Sequence, residues 1–173
     1  TDEKMLALIA AMGKWILRGP LEEHELTSYR GISTTVASAG GDFEEAVQYI
    51  VQAMLQSPRF IYRMENQRGD GTPWPISDYE MASRLSYILW GGPPDQELMS
   101  AANEGLLDRQ GVQEQTKRML ADARAVEHSL RFVDQWLNLA QLDSLRPSET
   151  RFPCWNPQLA ADMRHETLAF FKE

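Results

Sequence analysis

At 173 residues the chain suits one domain or two small ones, long enough to bury about two-thirds of its unfolded surface. Hydrophobic residues make up 43% and charged residues 24%, ordinary globular values that exclude wholesale disorder and an extended coiled coil. Acidic residues outnumber basic ones by 25 to 17, for a formal charge of -8. A chain that repels phosphate is a poor nucleic-acid binder, so nucleic acid is set aside as a partner.

No apolar run approaches the roughly 20 residues needed to span a bilayer, so no transmembrane segment is expected. The opening TDEKMLALIAAMGKW lacks the order of charge, apolar core and small-residue cleavage site of a signal peptide. The chain starts without an initiator Met and ends inside an amphipathic pattern, LAFFKE, which reads as a piece of something longer. A single cysteine, Cys154, cannot form an internal disulfide.

The first helix is predicted from Asp2 to Arg18, with Met5, Leu8, Ile9, Met12, Trp15 and Ile16 at the spacing of a buried stripe. Gly19-Pro20 ends it, and Pro20 suits the first turn of a second helix reaching Ala37, with Glu22 and Glu23 near the positive end of its dipole. Asp42, three residues before Glu45, caps the clearest periodic run: Phe43, Ala46, Val47, Ile50, Val51, Met54 and Leu55. Ser57-Pro58 stops it. Arg59 to Met64 alternates in a way compatible with a short strand or with a continuing helical turn.

Asn66 to Pro75, NQRGDGTPWP, is dense in turn formers and is the expected joint between a small helical domain, residues 1–66, and a larger one, residues 76–173. Ser77 and Glu80 form a capping box for a helix with Tyr79, Ala82, Leu85, Ser86 and Leu89 on one face. Gly91 to Pro94 breaks it. Helices follow over Asp95 to Asn103, Arg109 to Leu120 and Ala123 to Ala140, with Asp108 and Asp122 placed as N-caps and Gly105 as a C-cap. Val126, Leu130, Val133, Trp136 and Leu137 are expected as the buried stripe of the third. Gln141 to Pro157 reads as an irregular surface excursion, and Asn156-Pro157 starts the last helix. The fold class is therefore all-α, an irregular bundle of seven or eight helices. Val47, Ile50, Met54, Leu85, Leu89, Leu130, Val133 and Leu137 are its expected core.

Reactive constellations are scarce. His24, His128 and His165 form no His-x-x-x-His or Glu-x-x-His pair, and no cysteine stands near one at zinc spacing. Covalent haem needs Cys-x-x-Cys-His, which one cysteine cannot supply. Axial ligation by Met is disfavoured because Met5, Met12, Met54 and Met163 sit on stripes, where filling core gaps is the ordinary use of Met. There is no Gly-x-Ser-x-Gly, and Gly69-Asp70-Gly71 follows no apolar parallel strand. The acids Glu22, Glu23, Glu25, Glu44 and Glu45 lie in early helical turns, where dipole complementation explains them.

Four aromatics stand in loops or at helix ends: Trp74, Trp90, Phe152 and Trp155. Exposed, they would make an interaction surface for protein or sugar. Loop aromatics in compact domains usually plug the edge of a core, so pinning of Pro-Trp-Pro onto the bundle is the favoured reading.

Two blocks of motif carry a resemblance. Gly13 to Glu65, with its Arg-Gly-Pro-Leu turn, Gly-Asp-Phe-Glu-Glu start and Leu-Gln-Ser-Pro-Arg-Phe close, and the stretch from Ile76 onward, with Ser-Asp-Tyr-Glu-Met-Ala-Ser-Arg-Leu-Ser-Tyr-Ile-Leu-Trp, Met-Leu-Ala-Asp-Ala-Arg-Ala, Phe-Val-Asp-Gln-Trp-Leu and Met-Arg-His-Glu-Thr, resemble a pair of helical domains of unknown function. These are found in large planctomycete-type exported proteins that also carry cytochrome c domains. The resemblance implies a periplasmic or cell-surface setting and a c-type haem outside these domains. It brings no catalytic residues with it. Two functions are compatible with it: a scaffold or docking module whose partners are other domains of the polypeptide or a redox protein, and the substrate-binding part of a periplasmic oxidoreductase, with carbohydrate as candidate substrate. An acidic face at Glu22 to Glu25 and Glu44 to Glu45 would suit a basic redox partner.

Overall fold

A computed structural model describes residues 2–65, 69 and 71–172. Among them are ten helices and no strand, so the all-α expectation is borne out: α1 Asp2–Ile16, α2 Glu23–Ser38, α3 Phe43–Leu55, α4 Pro58–Ile61, α5 Asp78–Leu89, α6 Gln96–Asn103, α7 Arg109–Leu120, α8 Ala123–Trp136, α9 Gln141–Ser144 and α10 Pro157–Lys172. Eight of them have eight residues or more. Residues 66–68 and 70 of the expected joint lie outside the described residues. The chain divides into two compact units, Thr1–Tyr87 with Gly92–Val112, and Ile88–Gly91 with Gln113–Glu173.

In the first unit α1, α2 and α3 pack on one another around Met5, Ile9, Leu17, Tyr29, Ala46, Ile50 and Met54. Local chemistry explains the boundaries. The Asp42 side chain accepts from the Glu45 N–H at 2.8 Å and starts α3. Ser77 and Glu80 form both halves of their capping box: Glu80 Oε2 accepts from the Ser77 N–H at 2.6 Å, and Ser77 Oγ accepts from the Glu80 N–H at 3.3 Å. After α3 the chain takes one more helical turn, α4, capped by Ser57, so Arg59 to Ile61 are helical and Tyr62 is extended.

Several expectations need correction. The first helix stops at Ile16 because Arg18 adopts a left-handed conformation, φ 59°. The Gly19 N–H then returns to the Lys14 carbonyl at 3.0 Å, the closure of a Schellman turn. Pro20 consequently lies outside α2, which begins only after Glu22, whose N–H is bonded by Glu25 Oε2 at 2.9 Å. Trp15, Phe43 and Leu55 are exposed, and Val47, Leu85 and Leu89 only half-buried. On α5 it is the small residues Ala82 and Ser86 that are fully buried.

In the second unit α10 packs on α8 and α9. Asp134 holds Arg164 in a two-pronged ion pair at 2.8 and 2.9 Å, a geometry matched to the planar guanidinium. The predicted stripe of α8 is largely wrong: Val133 is buried and Leu130 half-buried, but Val126, Trp136 and Leu137 are exposed, as is Met163 on α10. With about 100° between successive residues, the apolar positions Phe132, Trp136, Val133, Val126, Leu137 and Leu130 spread over roughly 160° of the helix. One packing partner cannot cover that arc. The helix also ends four residues sooner than expected. Asn138 takes φ 52° and the Leu139 N–H bonds the Asp134 carbonyl at 3.0 Å, a second Schellman closure with Asn in the position Gly commonly holds.

Candidate functional site

Polar interior groups cluster at the turn after α1. Arg18 is buried, and its guanidinium donates to the carbonyls of Phe60 at 3.2 Å, Tyr62 at 2.9 Å and Arg59. It also stands 5.7 Å from the centre of the Tyr87 ring, on which Arg63 packs at 5.1 Å. Next to it Arg59 pairs with Glu25 at 2.5 Å and donates to the Pro20 carbonyl at 3.2 Å. Burial, acting against the bond from Ser57, pushes the Tyr29 hydroxyl above its ordinary range. These cations are committed to carbonyls, a carboxylate and ring faces. The cluster ties Arg18 to the α4 segment.

A comparable cluster surrounds Trp90 in the second unit. Its indole Nε1–H donates to the Met119 carbonyl at 3.0 Å, and the Arg124 guanidinium lies 3.4 Å from its ring centre, with Arg118 at 5.4 Å. Arg131 donates to its carbonyl at 3.4 Å. Asp122 caps α8 through the Arg124 N–H at 2.9 Å and grips the Arg124 side chain at 2.9 and 2.7 Å. That side-chain bond holds the Asp122 carboxyl down to about 2. Gly91, at φ 66°, lies so close to His128 that a Cβ would overlap the imidazole.

Of the four predicted surface aromatics, Trp90 is therefore misplaced: it is 5% exposed and serves as a core member. A helix-terminal Trp before Gly-Gly-Pro-Pro looks like a loop residue in sequence, yet its N–H has a buried carbonyl partner and its face a cation. Trp74 and Phe152 are exposed, and Trp155 is half-buried, its backbone N–H donating to the Phe152 carbonyl at 3.1 Å. Phe152 and Trp155 belong to the second unit and Trp74 to the first. In the expected acidic face Glu25 is spent on Arg59, whereas Glu22, Glu23, Glu44 and Glu45 are exposed. His24 stands 3.2 Å from Glu22, His128 faces Gly91 and His165 is exposed. Among the described residues no group of three or more His, Cys, Asp or Glu side chains could hold a metal, and no helix is long and apolar enough to cross a membrane.

Two surfaces offer themselves for binding. On α8, Phe132 and Trp136 stack at 6.1 Å with their planes 17° apart, 59% and 67% exposed. Sequence reasoning assigned Trp136 to the core; the width of the apolar arc was the signal against it. In the first unit α2 and α3 enclose an open groove of about 730 Å³, lined by residues including Gly31, Thr35, Glu45 and Tyr49.

No curated protein and no solved structure matches the chain. Two family profiles match in order along it: residues 5–65 match PSD5, Protein of unknown function (DUF1595), and residues 76–173 match PSD4, Protein of unknown function (DUF1592). Since the second match takes in more than half of its length, the chain belongs to the PSD4 family, Protein of unknown function (DUF1592).

Proposed function

We propose that the chain is a helical docking module of a larger exported, cytochrome c-associated protein, acting in a periplasmic or cell-surface setting, and that it binds other domains of its own polypeptide or a redox partner. The stacked and exposed Phe132–Trp136 pair carries this reading. Aromatic side chains give much contact area at small entropic cost, and truncating such an anchor commonly removes most of an interface's affinity. A net charge of -8 adds long-range attraction for a basic partner. The setting and the cytochrome rest on the resemblance of the two motif blocks.

The test is titration of the purified chain with a basic c-type cytochrome, followed by calorimetry at low and high salt. Saturable binding with Kd below about 1 mM, equivalent to about -4 kcal/mol, is expected, weakened by salt and abolished by Trp136→Ser. No heat at that concentration, or binding indifferent to Trp136→Ser, overturns the proposal. Exposed Trp74 and Phe152 support the second reading, the substrate-binding part of a periplasmic oxidoreductase acting on carbohydrate. Indole fluorescence changing on addition of oligosaccharide, and not in Trp74→Ala, would favour it.

A further inference from the structure

We propose that the groove between α2 and α3 binds a small organic cation, an ammonium group on an apolar body. The site lies wholly in the first unit and stands independently of the docking reading, which rests on α8.

The donors and acceptors along the groove decide which ligand it suits. Ser28 and Thr35 line the groove, but each hydroxyl proton is already donated to its own helix, to the His24 carbonyl at 2.8 Å and the Gly31 carbonyl at 2.9 Å. Gln56 donates its amide to the Gln52 carbonyl at 3.1 Å. Ser28 and Thr35 therefore present oxygen lone pairs to a ligand, while the Gln56 amide keeps one N–H and its oxygen, and the Gln52 amide at the same lining can act in either sense. The Glu45 carboxylate is also acceptor-only, and it is held against Gly41 at the lining. Among the described residues Glu45 forms no ion pair. The Tyr49 hydroxyl can act in either sense, and its ring is half-exposed and supplies a π-face.

Two acceptor-only hydroxyls, the unpaired Glu45 carboxylate as the one charge of the lining, and an aromatic face are together complementary to a cation and unfavourable to an anion. The apolar part of the ligand has Ile32, Val36 and Ala53 to cover. The volume of about 730 Å³ is ample for such a molecule. A Cβ at Gly31 would meet nothing within 4 Å, so a larger side chain there would enter the groove's open space.

Hexylammonium chloride is the probe and 1-hexanol its uncharged control, each titrated into the 15N-labelled chain at 150 mM NaCl. Expected are saturable shifts confined to amides near Gly31, Thr35 and Tyr49, at least about tenfold tighter for the ammonium than for the alcohol. Gly31→Leu should abolish them while melting no lower than the parent, because the new side chain enters open space. Glu45→Gln should weaken binding about tenfold. Tyr49→Ala, at an exposed position, gives a second route to the same loss. Equal binding of the alcohol, shifts scattered over the acidic surface without saturation, or affinity unchanged in folded Gly31→Leu or in Tyr49→Ala would each overturn the proposal.

Discussion

Arg18 permits a prediction in which two opposing effects are separated. Its guanidinium bonds three carbonyls, and hydrogen bonds to a charged group contribute about 1.5–3 kcal/mol each. Phe60 and Tyr62 are exposed, so water can take over part of that bonding, and roughly 2–4 kcal/mol is a reasonable total for loss of the head group. Against this stands the left-handed backbone at φ 59°, which costs a non-glycine residue about 1–2 kcal/mol. Arg18→Met keeps the strain and loses the bonds. Arg18→Gly loses the same bonds, relieves the strain and gives some of that back as unfolded-chain entropy. Urea melts should therefore place Arg18→Met about 2–4 kcal/mol below the parent, with Arg18→Gly about 0.5–1 kcal/mol above Arg18→Met. Amide exchange at Phe60, Ile61 and Tyr62 should accelerate in both variants, since their segment loses its anchor. A loss below about 1 kcal/mol in Arg18→Met, or unchanged exchange at those amides, would show that Arg18 is not the fastening described.

Further expectations concern the core, a crowded glycine and a titration. Ile50→Ala should cost about 2–5 kcal/mol, whereas Leu137→Ala, at 42% exposure, should cost under about 1 kcal/mol in the same melts. Gly91→Ala should lower stability by about 1–3 kcal/mol, and His128→Ala in the same chain should recover the steric part while leaving the cost of the positive φ. If the second substitution recovers nothing, the contact is not the cause. The Asp122 carboxyl sits at about 2 against an ordinary value of 3.8. A depressed carboxylate stabilises the fold above its unfolded pKa and loses that contribution as pH falls through the folded one. The Tm gap between the parent and Asp122→Asn should thus be constant above about pH 4 and close between about pH 4 and 2; a gap that persists below pH 2 would refute the assignment.

Helix order, caps and fold class were legible in the residues because they depend on neighbours within four positions. Asp42, Ser77, Asp95, Asp122 and Asn156 each accept from a backbone N–H two or three residues on, an interaction that short sequence spacing contains in full. The core was legible only in part, at Ile9, Ile50, Met54 and Val133. On α8 the arc is wider than any single partner covers, so which residues are buried depended on where α10 came to pack, and Trp136 and Leu137 stayed in solvent. Local spacing also could not show that Arg18 reaches residues 59–62, that Trp90 finds the Met119 carbonyl, or that the hydroxyls of the α2–α3 groove have spent their protons on their own helix. Those pairings join positions distant in the chain or depend on rotamers chosen in the packed state. Only tertiary structure decides them, because a side chain's hydrogen-bonding character toward a ligand is what remains after its neighbours in space have been satisfied.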